Sequence, residues 1–441
     1  MRKKSFVSLL LAMAFLALLV LSGCGAEKSV EEPASNVITM LTAATPSDSF
    51  YYGFQKIIDN FNANNEYGVT VQCDFVSTPD FKTKLPTLMS SDSEPDIIYT
   101  LELGYLGVYV DAGKIVNLQP YYDADPAWRD SFNDGMLDQL TYNGDVYGVP
   151  TQQTMALMFY NKAIFDQYGV DYPTADWTWE DMYEAAKKIT EGSNGDVYGL
   201  AMNTSNNQDG WYNLVYDYGG TIVGEDHKTS TIGSAEGKAG MEMVRKLLSV
   251  GAPQSVVAET GTDSLFQSGK CAMITQGSWM INSFYKAENH ADYYWALLPY
   301  ADVNGNGQCD DGERQSCYNG LGWAASAGTA NPDACYSLIS YLCSEEAQKK
   351  QAELGVTMAG MEGMSEAFGN AFEGMDVSPF IEMEDFKLYF RPYSRNTTVW
   401  EDKIQQAGAF LDAWQNPDDP AVMEKACDNA QQIIDDAIAQ E

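Results

Sequence analysis

Hydrophobic and polar positions alternate along the chain in two distinct rhythms. Val37-Ile38-Thr39-Met40-Leu41 is a largely apolar run that reads as a buried strand. Phe50, Phe54, Ile57, Ile58 and Phe61 follow at the spacing of one helix face. Val69-Thr70-Val71-Gln72-Cys73 predicts a second strand, Phe81, Leu85, Leu88 and Met89 a second helix, and Asp96-Ile97-Ile98-Tyr99 a third strand. Strand–helix–strand–helix–strand predicts a parallel α/β sheet, whose ligands bind beyond the carboxyl ends of the strands. Those ends are the segments 42–48 and 100–105. The pattern restarts at Thr178-Trp179-Glu180-Asp181, a capping box that opens a helix with Trp179, Met182, Ala185, Ala186 and Ile189 on one face. Gly237–Val250 predicts another helix. Asn331-Pro332 caps one running to about Lys350, and Asp419-Pro420 caps the last, ending near Ile438. No repeat and no low-complexity linker separates the two α/β halves, so they are expected to exchange chain segments.

The amino terminus departs from this rhythm. Met1-Arg2-Lys3-Lys4 is basic, and Phe6 to Leu21 carries no charge. A basic stretch before an apolar run too short to span comfortably is a secretory signal. It ends in Leu21-Ser22-Gly23-Cys24, which resembles the bacterial lipobox and implies cleavage before Cys24 and lipid on its sulfur and amino group. Residues 24–35 then form a small, polar, acidic tether. Losing residues 1–23 removes three basic residues and no acidic ones, so the net charge moves from −36 to −39. Nucleic acid and anionic lipid surfaces need clustered Lys and Arg, and such a chain is a poor partner for either. With 45% apolar and 20% charged residues the mature part is globular. The seven other cysteines are odd in number, so they cannot all pair internally. Cys335 and Cys343 lie about 12 Å apart along a helix, too far to bridge. Cys309 and Cys317 remain able to pair across a loop, and packing accounts best for the set.

These segments resemble the extracellular solute-binding proteins of sugar ABC importers, the group that includes maltodextrin-binding protein. The strongest piece is Tyr147-Gly148-Val149-Pro150-Thr151-Gln152, continuing through Met158-Phe159-Tyr160-Asn161-Lys162 to Phe165 and Gly169. Pro95-Asp96-Ile97, Gly269-Lys270-Cys271-Ala272-Met273, Gly277-Ser278-Trp279 and Ser344-Glu345-Glu346-Ala347-Gln348 follow in the family's order. The resemblance covers essentially the whole mature chain. It implies a two-lobed type II periplasmic-binding fold with a hinge of crossover strands: lobe one at 36–152 and 324–375, lobe two at 153–323 and 376–441. It further implies a monomer that closes on a carbohydrate, an oligosaccharide by family precedent, and delivers it to an ABC permease at the outer face of the cell membrane.

Sugars offer apolar C–H faces edged with hydroxyls, so a site needs aromatic planes beside acids and amides. Trp279 matches the family's stacking tryptophan. Trp400 and Trp211 stand where the family has cleft aromatics, with Asp209 and Glu102 as candidate hydroxyl partners. Gln152, Gln153 and Thr154 line the first crossing between lobes, and Trp323 enters another crossing strand, where packing is the stronger reading. Each aromatic has core packing as its bland alternative.

A second signal is independent of that family. Asp302-Val303-Asn304-Gly305-Asn306-Gly307-Gln308-Cys309-Asp310-Asp311-Gly312-Glu313 fits an EF-hand-type loop. Asp302, Asn304, Asn306 and Asp310 place side-chain oxygens at positions 1, 3, 5 and 9, Gln308 offers its carbonyl, and Glu313 a bidentate carboxylate. The expected ion is a structural Ca²⁺. Cys309 replaces the usual branched apolar residue and no clear helices flank the loop, so an acidic hairpin turn is the alternative.

A secreted glycoside hydrolase is the rival class. With 62 acids, paired carboxylates carry no weight, there is no G-x-S-x-G elbow, and His227 and His290 lack metal-ligand spacing. The chain is therefore read as a binder and not an enzyme, with a lipoprotein for a non-sugar solute as the remaining alternative.

Overall fold

The computed structural model describes residues 36–441 apart from 47–48, 92, 101–105, 133–135, 206–207, 225, 362, 377, 385–386 and 406–408. The leader, Cys24, the tether and Glu102 lie outside the described residues.

The amino-terminal half begins as its periodicity predicts, with β1 (Val37–Ala43), a helix over Ser49–Asn64, β2 (Thr70–Val76), a helix over Thr78–Ser90 and β3 (Ile97–Tyr99). β1 pairs in parallel with both β2 and β3. A small hairpin of β4 (Thr141–Tyr142) and β5 (Asp145–Val146) precedes β6 (Val149–Asn161). Then come β7 (Tyr198–Ala201), β8 (Cys271–Gly277), β9 (Tyr293–Ala296), β10 (Gln315–Ala325), β11 (Met358–Ala359) and β12 (Lys387–Phe390). Apart from the hairpin they form one sheet in the order β2-β1-β3-β10-β6-β8-β7, with β9 and β11 added to β6 and β12 to β10.

β6 and β10 are the two long crossing strands. β10 is antiparallel to β3 at one end, where Trp323 faces Tyr99, and antiparallel to β6 along its length. Every residue of β6 is buried. Such a strand must be apolar on both faces, which is why Met155-Ala156-Leu157-Met158-Phe159 shows no alternation. Its two faces feed different cores. Ala156, Met158 and Tyr160 join the lobe-two core with Trp179, Trp211, Trp400 and Trp414. Met155, Leu157 and Phe159 join a third core with Trp295, Phe284, Phe368 and Phe372. Lobe one has its own core around Phe54, Tyr99, Trp323 and Leu338. Residues from 352 to 383, which the sequence reading divides between the lobes at 375, thus contribute to the core on the second face of β6.

Local capping explains the helix boundaries. In the Trp179–Gly192 helix, Thr178 Oγ1 accepts from Asp181 N at 3.1 Å and Asp181 Oδ2 accepts from Thr178 N at 2.8 Å. Its buried residues are Trp179, Met182, Ala185, Ala186 and Ile189, the face that the spacing predicts. Asp419 caps Pro420–Ile438 in the same way, its Oδ1 accepting from Ala421 N at 3.0 Å. The helix expected from Asn331 to about Lys350 is instead two. The first spans Pro332–Leu342, and Ser344 starts a second over Glu345–Glu353 by accepting from Ala347 N at 3.3 Å. A serine followed by two glutamates is a strong start signal, and it overrides continuity. Cys309 and Cys317 are both free, as are the other five described cysteines. Among the described residues no helix is long and apolar enough to cross a membrane.

Between the lobes the crossing strands run so close that side chains are excluded. The β6–β10 register shifts at Leu321/Gly322, and a Cβ on Gly322 would fall 2.2 Å from the Val149 carbonyl oxygen. Backbone cannot yield as a flexible side chain would. Gly322→Ala should therefore lower stability by about 1–3 kcal/mol, read as a lower urea midpoint. An unchanged midpoint would show that the strands have room to separate.

Candidate functional site

The strand directions decide where a ligand can sit. β1 and β3 run toward the end of β10 that begins in lobe two, so their carboxyl ends face that lobe. β8 ends at Gly277 beside Ala156, and β7 runs parallel to β8, so their carboxyl ends face lobe one. The loops after all four strands thus border the space between the lobes, the position at which open α/β sheets bind ligands.

Trp279 is placed there. It follows β8 in the short turn Ser278–Met280 and is half-buried. Its ring lies over Gly277, where a Cβ would stand 1.9 Å from Cζ3. Only glycine allows the indole to fold back in this way, because any side chain would occupy the ring's position. Gln153 and Thr154 are buried in β6, and Gln153 Oε1 accepts from the Tyr318 hydroxyl at 2.5 Å.

The other three tryptophans have no open face. Trp323 packs against Phe54 and Tyr99, with ring centroids 5.1 and 4.9 Å away. Trp211 lies 5.3 Å from Phe410 and 5.9 Å from Trp414, and Trp400 donates to Ser394 Oγ at 3.1 Å. All three are fully buried. In this arrangement they are core side chains rather than platforms, each contributing about 1.5–3 kcal/mol or more of burial.

Asp209 is also buried, and burial pushes its carboxyl well above the usual range; Asp263 adds to the shift and Arg391 opposes it. Arg391 Nη2 donates to both Glu401 oxygens at 3.0 and 2.7 Å, and Glu401 Oε1 also accepts from the Tyr212 hydroxyl at 3.2 Å. Asp263 accepts from Gln276 Nε2 at 2.8 Å, one residue before Gly277. Asp263 is thus hydrogen-bonded to the strand end that leads into Trp279, and Arg391 to Glu401. The sequence pattern points to Asp209 and not to Arg391, whose only local signal is a strand-ending R-P-Y-S-R run.

The loop from Asp302 to Glu313 connects β9 to β10 and, as expected, has no flanking helices. Asp302 Oδ2 accepts from Gly307 N at 3.1 Å, Asn304 Oδ1 from Asn306 N at 3.0 Å, and Asn306 Oδ1 from Gln308 N at 2.7 Å. Glu313 is buried and receives Val303 N and Asp310 N on its two oxygens, at 3.1 and 3.0 Å. Asp302 Oδ1 is buried with no hydrogen-bond partner. Among the described residues no three acids, histidines or cysteines gather closely enough to hold a metal by themselves. Any ion here would rely on the asparagine and main-chain carbonyls as well, which hard cations accept.

Comparison with known proteins agrees with this architecture. The family of bacterial extracellular solute-binding proteins matches residues 44–349. The maltodextrin-binding protein of Bacillus subtilis is 24% identical over 357 residues, 78% of this chain and 77% of that protein. A binding protein of Brucella abortus is 23% identical over 257 residues, and the matched part spans 61% of that relative's length. In fold, the chain is similar to an ABC substrate-binding protein from Listeria monocytogenes in complex with cycloalternan, with a TM-score of 0.77 and 22% identity. That superposition covers 92% of this chain and all of the other. Two lobes on crossing strands, facing strand ends and a match over most of the chain lead to one assignment: this chain belongs to the bacterial extracellular solute-binding protein family.

Proposed function

We propose that this protein captures a carbohydrate between its lobes and delivers it to an ABC import permease, without chemistry on the solute. The observation that carries this reading is the half-buried Trp279 at the meeting of opposed strand ends. An aromatic plane at such a place suits the apolar face of a sugar ring. The maltodextrin- and cycloalternan-binding relatives support the same substrate class. We further propose that Cys24 is acylated, so that residues 24–35 tether the receptor to the outer face of the cell membrane. Several acyl chains on one residue give a stable anchor where a single chain is marginal. The loop over 302–313 is the candidate Ca²⁺ site: its residue types fit a hard cation, and Asp302 Oδ1 is an acceptor that lacks a donor. Its role would be to order the connection into β10.

A thermal-shift series over mono- and malto-oligosaccharides, with and without Ca²⁺, tests both binding readings. A solute present at about 100 times its Kd adds about 2.7 kcal/mol, and Trp279→Ala should weaken the best sugar about tenfold or more. Ca²⁺ should raise the melting temperature by itself, and Glu313→Gln should remove that rise. No shift with any sugar, or none with Ca²⁺, contradicts the corresponding reading. Cys24→Ser should move the protein from the membrane fraction to the medium, whereas unchanged membrane retention argues against the anchor.

A further inference from the structure

Side chains close the end of β8. Gly277 N donates to Gln276 Oε1 at 2.9 Å, and Met155 N of β6 donates to Ser278 Oγ at 3.4 Å. Beyond the turn, Asn282 Nδ2 donates to the Gly355 carbonyl at 2.5 Å. Trp279 therefore stands on a piece of chain that is tied before it, beside it and after it.

The first of these ties has a second layer. Gln276 is buried, and its Nε2 donates to Asp263 Oδ1 at 2.8 Å. Asp263 lies in the first turn of the helix over Thr262–Gln267 and is partly buried. Burial raises its carboxyl above the usual range, and the bonds from Gln276 and Thr262 oppose that rise.

A glutamine amide has two orientations, which exchange its donor for its acceptor. In the one seen here Oε1 meets the Gly277 N–H. Turned over, Nε2 would face that N–H, donor against donor. The Gly277 amide favours the observed orientation by one neutral hydrogen bond. Asp263 favours it more strongly, because an ionised carboxylate only accepts and a charged acceptor makes the stronger bond.

The choice matters to Trp279 because its indole lies directly on Gly277, where a Cβ would stand 1.9 Å from Cζ3. A shift of the Gly277 backbone moves the surface on which the ring rests. Ser278 and Asn282 hold the turn from other sides, but neither bonds to the peptide beneath the ring.

We propose that Asp263 is a positioning residue: through the Gln276 amide it fixes Gly277 and so holds the Trp279 indole at one angle to the space between the lobes. Asp263 acts through Gln276 and not by contact with the solute. An indole held before the solute arrives loses less freedom on binding, so the effect appears as tighter capture. The effect on affinity rests on the solute-capture reading above, whereas the effect on the indole does not.

The test begins with fluorine NMR of the purified protein labelled with 5-fluorotryptophan, the Trp279 line being assigned by its loss in Trp279→Phe. In Asp263→Leu that line should move or broaden, while the lines of core tryptophans such as Trp179 and Trp323 stay in place. Gln276→Met should act in the same way. Asp263→Asn, whose carbonyl can still accept from Gln276 Nε2, should restore the line. Calorimetry with the tightest-binding malto-oligosaccharide should then show Asp263→Leu about three- to tenfold weaker than wild type and Asp263→Asn within about twofold of it. In a Trp279→Ala background, Asp263→Leu should change the affinity by less than about twofold. If no malto-oligosaccharide binds wild type while the Trp279 line still responds to Asp263→Leu, the capture reading fails and the positioning role stands. The positioning role is overturned if the Trp279 line is unchanged in both Asp263→Leu and Gln276→Met, if all tryptophan lines shift together, or if Asp263→Leu weakens binding equally with and without Trp279.

Discussion

Val149–Asn161 has to cross from one lobe to the other while keeping every one of its residues out of water. A strand buried on both faces gains hydrophobic stabilisation twice, but it can do so only if other elements cover each face and each edge. Here β10 takes one edge over the hinge, β11 and β8 take the other in turn, and two different cores close over the faces. The rest of the architecture follows from that demand. The chain must leave lobe two through β10, return through 332–359 to cover the β6 edge, and come back as β12 to cover β10. Two lobes built this way share strands, so they can rotate about the ribbon without separating.

The same crowding shapes the space available to ligands. Where backbones approach at the hinge, Gly320 and Gly322 leave no side chain, and Gln139 satisfies an amide that no neighbouring strand reaches. Where β8 ends, the chain turns and leaves the half-buried Trp279 beside the space between the lobes. Binding groups therefore lie beside the hinge, on elements whose separation the hinge sets. A solute that touches both lobes is held only when they approach, and differential contact of this kind is what shifts such an equilibrium.

Much of the scaffold was legible in the sequence because its causes are local. Periodicity located the first three strands, and capping residues located the helices at Trp179 and Pro420. Ser344 shows the limit: the helical pattern continued through it, yet a capping serine divided the helix. The candidate site was less legible for a physical reason. Trp211, Trp323 and Trp400 have the chemistry of a sugar platform, but the same large flat side chain is also the best filler of a core. Only distant neighbours such as Phe410 and Phe54 decide between the two. Gln139 was invisible for the complementary reason, since its partner Gly320 lies 181 positions away. Arg391 likewise acquires its role from Asp209 and Glu401 and not from its sequence neighbours.

If the ribbon of β6 and β10 is the hinge, a solute held at the strand ends draws the two lobes together. Small-angle X-ray scattering on the purified protein, before and after saturation with the tightest-binding saccharide, checks this. Closure gives a smaller radius of gyration with bound saccharide, and no such change with Trp279→Ala at the same sugar concentration. A radius of gyration that stays constant while calorimetry shows the wild-type site filled would contradict it.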